Sequence, residues 1–362
     1  MAQHHSIRIP AHHNIYLGTS NRELRIDFAL PQQGLNSHTG LLILVPGFGA
    51  HIDSKVYRKM REQFADQYNL VTIQCHYFGS QFMQGSNNFT LFGLQSLFSQ
   101  DEIKKIAQDN KAFFDLVKEK NVTLSALASL DETLEDFNDM GYMQAIDLIT
   151  AIEAVKIILR ENRLSFNAKR MIGYGHSHGA YLLHLCNRVV PHLFSFIIDN
   201  SAWIEPVYLF SNRYLYQNLG KARLRIEFDY LAKKVIQNKH NLNLEKLYQD
   251  YTGTAQIITF QGDNDNLVNH WAKKSLIESL RHSTFILVTE RDIDHKKYKT
   301  NTHGLGADFL ELFDYALQYE SPADVSVDVE WNYSLNFDGV TIDVSNPMGL
   351  PVFKYQFSDQ LH

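Results

Sequence analysis

The chain has 362 residues, which is enough for one large α/β domain with insertions or for two ordinary domains. Hydrophobic residues make up 44% of it and charged residues 20%, a balance typical of a folded globular protein rather than a disordered one. The formal net charge of −6 gives no overall electrostatic attraction to nucleic acid or to anionic lipid, so neither is a predicted partner.

The two cysteines, Cys75 and Cys186, each lie in an apolar run, which predicts reduced core thiols and a cytoplasmic protein rather than a disulfide framework. The N-terminal segment lacks the apolar stretch of a signal peptide, and no run approaches the ~18 apolar residues of a membrane span. The pairs His4-His5 and His12-His13 have no accompanying cysteine or carboxylate cluster. We therefore interpret them as surface or strand histidines and predict no metal and no other cofactor.

Short apolar runs alternate along the chain with segments of helical periodicity. The runs predict strands over 23–30, 41–45, 70–77, 169–175, 194–203, 256–265 and 284–290. Helices are predicted over 53–69, 141–162, 180–189 and 268–281, and after His303. The alternating run 23–30 indicates an edge strand, whereas the continuous runs indicate buried strands. Strands that alternate with helices predict an α/β fold with a mostly parallel, doubly wound sheet.

Two long segments, 76–139 and 204–254, interrupt this alternation. Connections of this length are usually inserted subdomains or lids, and residues 101–120 of the first have an amphipathic helical pattern. Both insertions follow strands whose carboxyl ends border the ligand site of a doubly wound sheet, so we predict that they are helical lid segments that roof this site. Residues 1–320 are accordingly predicted to form one domain.

Residues 321–362 differ in kind, because apolar and polar side chains alternate over 325–337 and again over 340–344. Asp338-Gly339, between these runs, is typical of a two-residue hairpin turn. Such a turn pairs Phe337 with Val340, Leu335 with Ile342 and Tyr333 with Val344. The sequence therefore predicts a C-terminal β-hairpin extension whose apolar face packs on the main domain.

The stretch "RMIGYGHSHGAYLLHLC", residues 170–186, has two interpretations. Its glycines follow a predicted strand and precede a predicted helix, as in a dinucleotide-binding turn, and Asp199 would be the ribose-binding acid. Their spacing, G-x-G-x-x-x-G, is a loose match to that turn, and the unit follows three earlier strands. The alternative is a nucleophile elbow, in which Gly-His-Ser-His-Gly holds Ser177 on a strained turn between strand and helix.

An elbow requires an oxyanion loop after an earlier strand, an acid after a later strand and a histidine later still. The segment "VPGFGAHID" follows the run 41–45 and supplies the loop. The main-chain N–H of Phe48 or of Gly49 can face a developing oxyanion there, together with the N–H of His178.

The acid and the histidine also occur in the required order. "FQGDNDNLV" offers Asp263 and Asp265 after a strand, and either can reach the site from this loop. Asp265 is preferred, because capping of the turn is an alternative role for Asp263. "TNTHGLGADFLELF" places His303 just before the last helix. His295, in the charged run "RDIDHKKYK", is the alternative base, and His282 is disfavoured because it precedes the last strand.

With these motifs in this order, residues 20–320 resemble the α/β-hydrolase superfamily. The resemblance implies Ser177 as the nucleophile, His303 as the general base and an aspartate after the late strand as the residue that orients the base. The G-D-x-D pattern is similar to that of members in which the second aspartate, here Asp265, has this role. Many esterases carry His-Gly where this chain has Pro46-Gly47, so the resemblance leaves the choice of oxyanion amide open.

"RELRIDF", "VPGFG", "YGHSHGAYL" and "HGLGADFLELF" also resemble an uncharacterised bacterial family of such hydrolases, several of whose members are encoded beside flagellin-glycosylation genes. The function that these motifs predict is a serine hydrolase with a small-molecule acyl ester as substrate, either a short-acyl ester or an acylated sugar. An acyltransferase with the same triad, an NAD(P)-dependent oxidoreductase and a non-catalytic binding scaffold remain alternatives.

Overall fold

The computed structural model describes residues 1–86, 88–321, 331–337 and 339–357. The strands within them are β1 (Gln3–Pro10), β2 (Glu23–Leu30), β3 (Gly40–Val45), β4 (Leu70–His76), β5 (Asn88–Phe92), β6 (Thr123–Ser129), β7 (Met171–His176), β8 (Phe196–Asn200), β9 (Arg213–Leu219), β10 (Ala222–Phe228), β11 (Gln256–Gly262), β12 (Ser283–Val288), β13 (Tyr333–Phe337), β14 (Val340–Ser345) and β15 (Val352–Phe357). The α-helices are α1 (Lys55–Tyr68), α2 (Leu94–Leu97), α3 (Gln100–Gln108), α4 (Asn110–Val117), α5 (Tyr142–Glu161), α6 (His178–Val189), α7 (Ala232–Val235), α8 (Leu244–Leu247), α9 (His270–Glu278) and α10 (Phe309–Leu317).

A central sheet of eight strands has the order β1-β2-β4-β3-β7-β8-β11-β12. Its pairs are parallel from β4 to β12, and β1 and β2 complete it in antiparallel pairing. All six residues of β3 and all five of β8 are buried, because α5 and α6 cover one face of the sheet while α1 and α10 cover the other. The predicted α/β class with a doubly wound, mostly parallel sheet is therefore confirmed.

The edge of this sheet differs from the prediction. We predicted that residues 23–30 form an edge strand, but β1 pairs along the whole of β2, from Gln3 opposite Leu30 to Pro10 opposite Glu23. The prediction was wrong because β1 carries a polar sequence, "QHHSIRIP", most of whose side chains are exposed. A solvated edge strand of this kind has little of the apolar alternation by which strands are recognised.

The two insertions are joined by a second sheet, whereas the sequence predicts only helical lid segments for them. Its order is β5-β6-β10-β9, so each insertion supplies two strands, and β6 pairs in parallel with β10 from Thr123 opposite Arg223. The short helices α2, α3 and α4 contribute to a small apolar core with this sheet. Residues 101–120, predicted as one amphipathic helical segment, form two helices, because Asp109 ends α3 and caps the N-terminus of α4.

The C-terminal residues form a three-stranded antiparallel sheet. The register of β13 and β14 is the predicted one, with Leu335 opposite Ile342 and Tyr333 opposite Val344. The strand β15 was not predicted, and residues 325–330 and 338 of the predicted hairpin lie outside the described residues. The buried side chains of this sheet belong to the same apolar core as α5 and α6: Val340, Ile342, Val344 and Phe353.

A buried histidine ties the N-terminal segment to this C-terminal sheet. Phe353 N–H donates a 2.9 Å hydrogen bond to Nε2 of His12. Burial lowers the pKa of His12 to about 4, which keeps the ring neutral and able to accept this bond.

Among the described residues, no group of three or more His, Cys, Asp or Glu side chains is arranged to hold a metal ion. Cys75 and Cys186 are buried and unpaired.

Candidate active site

Ser177 occupies the turn between β7 and α6, with φ 53° and ψ −118°. This strained backbone is possible only because the glycines on either side allow the strand and helix to approach closely. A Cβ atom on Gly175 would lie 2.4 Å from Ala180 Cα, and one on Gly179 would lie 2.3 Å from the Val45 carbonyl oxygen. The Gly-x-Ser-x-Gly sequence is therefore a steric requirement of the turn, which places the serine at the carboxyl end of the central strands.

A continuous hydrogen-bonded chain links Ser177, His303 and Asp265. Ser177 Oγ lies 2.6 Å from His303 Nε2, and His303 Nδ1 lies 2.8 Å from Asp265 Oδ2. The histidine side chain is 17% exposed and the aspartate side chain is fully buried, so solvent reaches the imidazole ring but not the carboxylate. With Nδ1–H donating to the carboxylate, Nε2 is free to accept the serine proton.

The carboxylate of Asp265 is fixed by further donors. Its Oδ1 accepts main-chain N–H bonds from Leu267 at 2.8 Å and Val268 at 3.1 Å, and its Oδ2 also accepts from Gln261 Nε2 at 2.7 Å. Burial alone would raise the pKa of this carboxyl group, but the His303 hydrogen bond and these donors outweigh it and hold the pKa below its usual value. Asp265 is therefore an ionised hydrogen-bond acceptor for the histidine.

The structure does not bring the alternative acid and base into this chain. Asp263 Oδ1 accepts a 2.7 Å hydrogen bond from Asn301 Nδ2, so it fixes the loop that carries His303 instead of contacting the ring. His295 is exposed, and its main-chain N–H donates to the carbonyl of Tyr298 within its own loop. Of the residues predicted from sequence, Asp265 and His303 are thus the pair that reaches Ser177.

The loop after β3 lies directly beside the serine. A Cβ atom on Gly47 would approach His176 Cδ2 to 2.8 Å and Ser177 Cβ to 3.6 Å, which explains the glycine after Pro46. Gly49 does not behave as a free donor, because its N–H donates a 3.2 Å hydrogen bond to Met83 Sδ. Gly49 is thus a poorer oxyanion candidate than Phe48, which lines the cleft at the serine.

His178 begins α6, where main-chain N–H groups have no acceptor within the helix. Its ring is fully buried, and its Nε2 donates a 2.7 Å hydrogen bond to Gln144 Oε1. Burial lowers the pKa of this histidine to about 3. The side chain is therefore a neutral packing group, and the predicted oxyanion role concerns the main-chain N–H of His178 alone.

His176 is a further histidine beside the serine, but it is held away from base chemistry. Asn200 Nδ2 donates a 3.0 Å hydrogen bond to its Nδ1. Burial, followed by the nearby His303, lowers the pKa of His176 to about 4. Its ring is a neutral part of the cleft wall.

A cleft of about 460 Å³ opens above Ser177 and His303. Rings make up much of its wall: Phe48, Tyr57, Trp203, Tyr208 and Phe309. The sequence predicts that both insertions roof the serine, but it does not indicate which of their residues reach the cleft. Within the described part of the chain, only Tyr208 and Arg213 of the second insertion line the cleft, and none of the first does.

Most of the aromatic rings in the two insertions lie away from the cleft wall. Some are buried within the protein, namely Phe78, Phe98, Tyr230 and Tyr248. Others are exposed: Phe89, Phe92, Phe210, Tyr214 and Tyr216. The first insertion instead supports the loop after β3, because Met83 and Gln84 both hydrogen-bond the backbone of Gly49.

Asp199, the acid that a dinucleotide site would need, is fully buried, and its carboxylate already has partners within the protein. Its Oδ2 lies 2.8 Å from Lys273 Nζ and 3.0 Å from both His184 Nε2 and Thr259 Oγ1. Burial alone would raise the pKa of Asp199, but the Lys273 ammonium holds it below its usual range. With these partners it has no capacity to bind a ribose, which removes the main support for the oxidoreductase alternative.

The sheet order and the serine on the β7–α6 turn define an α/β-hydrolase fold. In agreement, the chain is similar to a candidate dipeptidyl aminopeptidase IV from Bacteroides ovatus, with a TM-score of 0.51 and 12% identity over 88% of this chain and 35% of that one. It is also similar to Est1E from Butyrivibrio proteoclasticus with ferulic acid bound, with a TM-score of 0.45 and 11% identity over 82% of this chain and 93% of that one. The first of these similarities describes the fold alone.

The chain belongs to the family described as "Protein of unknown function (DUF2920)", whose model matches residues 87–320. This membership agrees with the motif resemblance to an uncharacterised family. A comparison with curated proteins found no match.

Among the described residues, no helix combines the length and the apolar composition required to cross a membrane.

Proposed function

We propose that this protein is a serine hydrolase that cleaves carboxylic esters of small molecules through an acyl-enzyme. The observation that carries the proposal is the hydrogen-bonded chain from Ser177 through His303 to the buried Asp265, with the serine on a strained turn at the floor of a cleft. This arrangement supports the proposal because nucleophilic acyl transfer needs a serine, a histidine and a carboxylate hydrogen-bonded in this order. Asp263 instead contacts Asn301, and His295 is exposed.

The proposed reaction begins when His303 Nε2 takes the proton of Ser177 and Oγ attacks the acyl carbon. Negative charge on the former carbonyl oxygen is stabilised by the N–H groups of Phe48 and His178, each contributing roughly 3 kcal/mol. The tetrahedral species collapses, the carbon–oxygen bond breaks, and His303 gives the proton to the departing alcohol. Water, deprotonated by His303, then cleaves the acyl-enzyme and restores the serine. Asp265 keeps the proton on Nδ1 and stabilises the imidazolium.

A fluorophosphonate probe tests the reaction class, because it reacts only with an activated serine. We expect labelling at one site, which peptide mass spectrometry assigns to Ser177. Prior denaturation of the protein is the control and should prevent labelling. An unlabelled native protein, or a label on another serine, would contradict the proposal.

The aspartates at the end of β11 provide a matched pair of variants. Asp265→Asn should lower kcat by roughly 10³- to 10⁴-fold, because an amide can donate to His303 Nδ1 and so stabilises the wrong tautomer. Asp263→Asn should lower it less than about 10-fold, since only the contact with Asn301 changes. Steady-state hydrolysis of 4-nitrophenyl acetate measures both. Equal losses in the two variants would remove Asp265 from its proposed role.

The cleft also supports a preference for short acyl groups. Its volume is about 460 Å³, and its wall combines rings with the Ser54 hydroxyl and the Arg213 guanidinium. Such a wall suits an acetyl ester of a flat or polar alcohol, including an O-acetylated sugar, better than a long aliphatic chain.

A series of 4-nitrophenyl esters from acetate to dodecanoate tests this preference. We expect kcat/KM to fall for acyl chains beyond about eight carbons, because the aromatic wall leaves the distal methylenes in water. An acetylated monosaccharide in the same assay should be deacetylated. Alkaline hydrolysis of each ester supplies the reference for intrinsic reactivity. If kcat/KM instead rises steadily with chain length, the short-acyl preference is wrong.

A further inference from the structure

Arg213, the first residue of β9, brings a positive charge to the wall of the same cleft. Its guanidinium carbon lies 4.9 Å from the centre of the Phe48 ring and 5.6 Å from that of Tyr208. Its Nη1 donates a 3.2 Å hydrogen bond to the carbonyl of Met83. Two rings, one carbonyl and a hydrogen bond with the Tyr230 side chain thus hold the guanidinium beside the loop that follows β3.

No ion pair among the described residues includes Arg213, and the acids on the adjoining strand and turn have other partners. Glu227 on β10 accepts hydrogen bonds from Asn212 and from the Tyr214 hydroxyl. Asp229 pairs with Lys233 at 2.8 Å. A partly buried guanidinium with no carboxylate partner is costly, because its loss of hydration is not repaid by an opposite charge.

Trp203 adds a second unused polar group to the residues that line this cleft. Its side chain lines the cleft, 1% exposed, with its ring centre 5.4 Å from that of Tyr208. The indole Nε1–H has no acceptor within the described part of the chain. A buried donor of this kind is normally paired in the functional state. Trp203 and Arg213 thus line the same cleft, one with an N–H and the other with a positive charge that has no opposite partner among the described residues.

We propose that Arg213 determines specificity by binding an anionic oxygen group, a carboxylate or a phosphate, on the ester that Ser177 attacks. This inference rests on the proposed hydrolase function and adds the charge class of its substrate. An arginine suits this role because its planar N–H groups match two oxygens of such an anion at once. The protein's net charge of −6 would repel an anionic substrate, so recognition has to come from a local cation such as this one.

The test compares esters that differ only in charge. On the alcohol side, 4-acetoxybenzoate is paired with 4-acetoxybenzamide, and 4-acetoxyphenyl phosphate is the phosphate arm. On the acyl side, the mono-4-nitrophenyl ester of adipic acid is paired with 4-nitrophenyl hexanoate. We expect kcat/KM for at least one anionic ester to exceed that of its neutral partner by roughly 10- to 100-fold, the range of a charge-assisted hydrogen bond. The preference should decrease as ionic strength rises.

Variants assign the preference to Arg213. Arg213→Gln should reduce the ratio of kcat/KM between the anionic and the neutral ester to about one. Arg213→Lys should retain part of this ratio, because lysine keeps the charge but not the planar pair of N–H donors. The matched control is Arg223→Gln, which removes an exposed arginine that stacks 4.1 Å from the Tyr216 ring outside the cleft. The control should keep the wild-type ratio. Using a ratio corrects for any general loss of activity in a variant.

A binding measurement separates this inference from the proposed function. In the Ser177→Ala protein, calorimetry should show tighter binding of 4-acetoxybenzoate than of the amide, and the added Arg213→Gln change should abolish the difference. Failure of every ester and of the fluorophosphonate probe would overturn the hydrolase proposal. Active enzyme with no anionic preference in turnover or binding, or a preference that persists in Arg213→Gln, would overturn the role of Arg213 alone.

Discussion

Ser177→Ala is expected to abolish fluorophosphonate labelling and to lower kcat for ester hydrolysis by roughly 10⁴- to 10⁶-fold. The reason is that the substitution removes the atom that bonds to the acyl carbon while it leaves the remainder of the site in place. Any residual turnover would come from oxyanion stabilisation and substrate binding alone.

The fold should tolerate this change. Ser177 already has a positive φ of 53°, and alanine adds no atom that could clash in the turn. The hydrogen bond to His303 is lost, but that ring is 17% exposed, so water can replace the hydroxyl. Circular dichroism and thermal unfolding should therefore match the wild type within a few degrees. Exposed Ser211 offers a control, since Ser211→Ala should retain labelling and turnover.

Undiminished labelling of Ser177→Ala would assign the reactive group elsewhere. Ser201, which directly follows β8, lies close to the His303 loop, but its hydroxyl already has two hydrogen-bond partners. It accepts from Gly304 N–H at 3.1 Å and donates to Asn200 Oδ1 at 3.2 Å. These bonds hold the backbone next to His303, which is a positioning role.

The hydrogen-bonded residues Ser177, Asp265 and His303 were identifiable in the sequence because each follows a local pattern. The turn around Ser177 needs glycines at fixed positions, and Asp265 and His303 each follow a strand or precede a helix that is visible in the apolar periodicity. The C-terminal register was predictable for the same reason, since the alternation on either side of a two-residue turn permits one pairing. The choices between Asp263 and Asp265 and between His295 and His303 needed the three-dimensional arrangement.

Features that depend on distant pairing were not predictable. The sheet formed by the insertions joins β6 to β10 across about a hundred residues. The sequence of neither strand indicates which distant strand it pairs with. The bond from Gly49 N–H to Met83 Sδ, which disfavours Gly49 as an oxyanion donor, is another contact between distant segments. Arg213 had no local signal at all, because an arginine at the start of a strand is ordinarily a solvated residue.

His303→Ala should reduce kcat about as severely as Ser177→Ala, by roughly 10⁴- to 10⁶-fold, because the serine hydroxyl is a poor nucleophile until a base removes its proton. The 2.6 Å contact between Ser177 Oγ and His303 Nε2 is the path proposed for that proton. His176 cannot substitute, since its Nδ1 accepts from Asn200 and its pKa is about 4. The exposed His295 provides the matched control, and His295→Ala should lower kcat less than about 3-fold.

Two measurements distinguish loss of the base from loss of structure in His303→Ala. Added imidazole should restore part of the turnover in this variant and none in Ser177→Ala, because a small base can enter the space left by the ring only where the nucleophile remains. Combining His303→Ala with Asp265→Asn should lower kcat little more than His303→Ala alone does. The reason is that Asp265 is proposed to act through the histidine, and the effects of residues that act as a unit are not additive.

A greater loss of kcat from His295→Ala than from His303→Ala would assign the base to His295. Additive losses in the double variant would mean that Asp265 contributes independently of His303, for example by holding the loop at Leu267 and Val268.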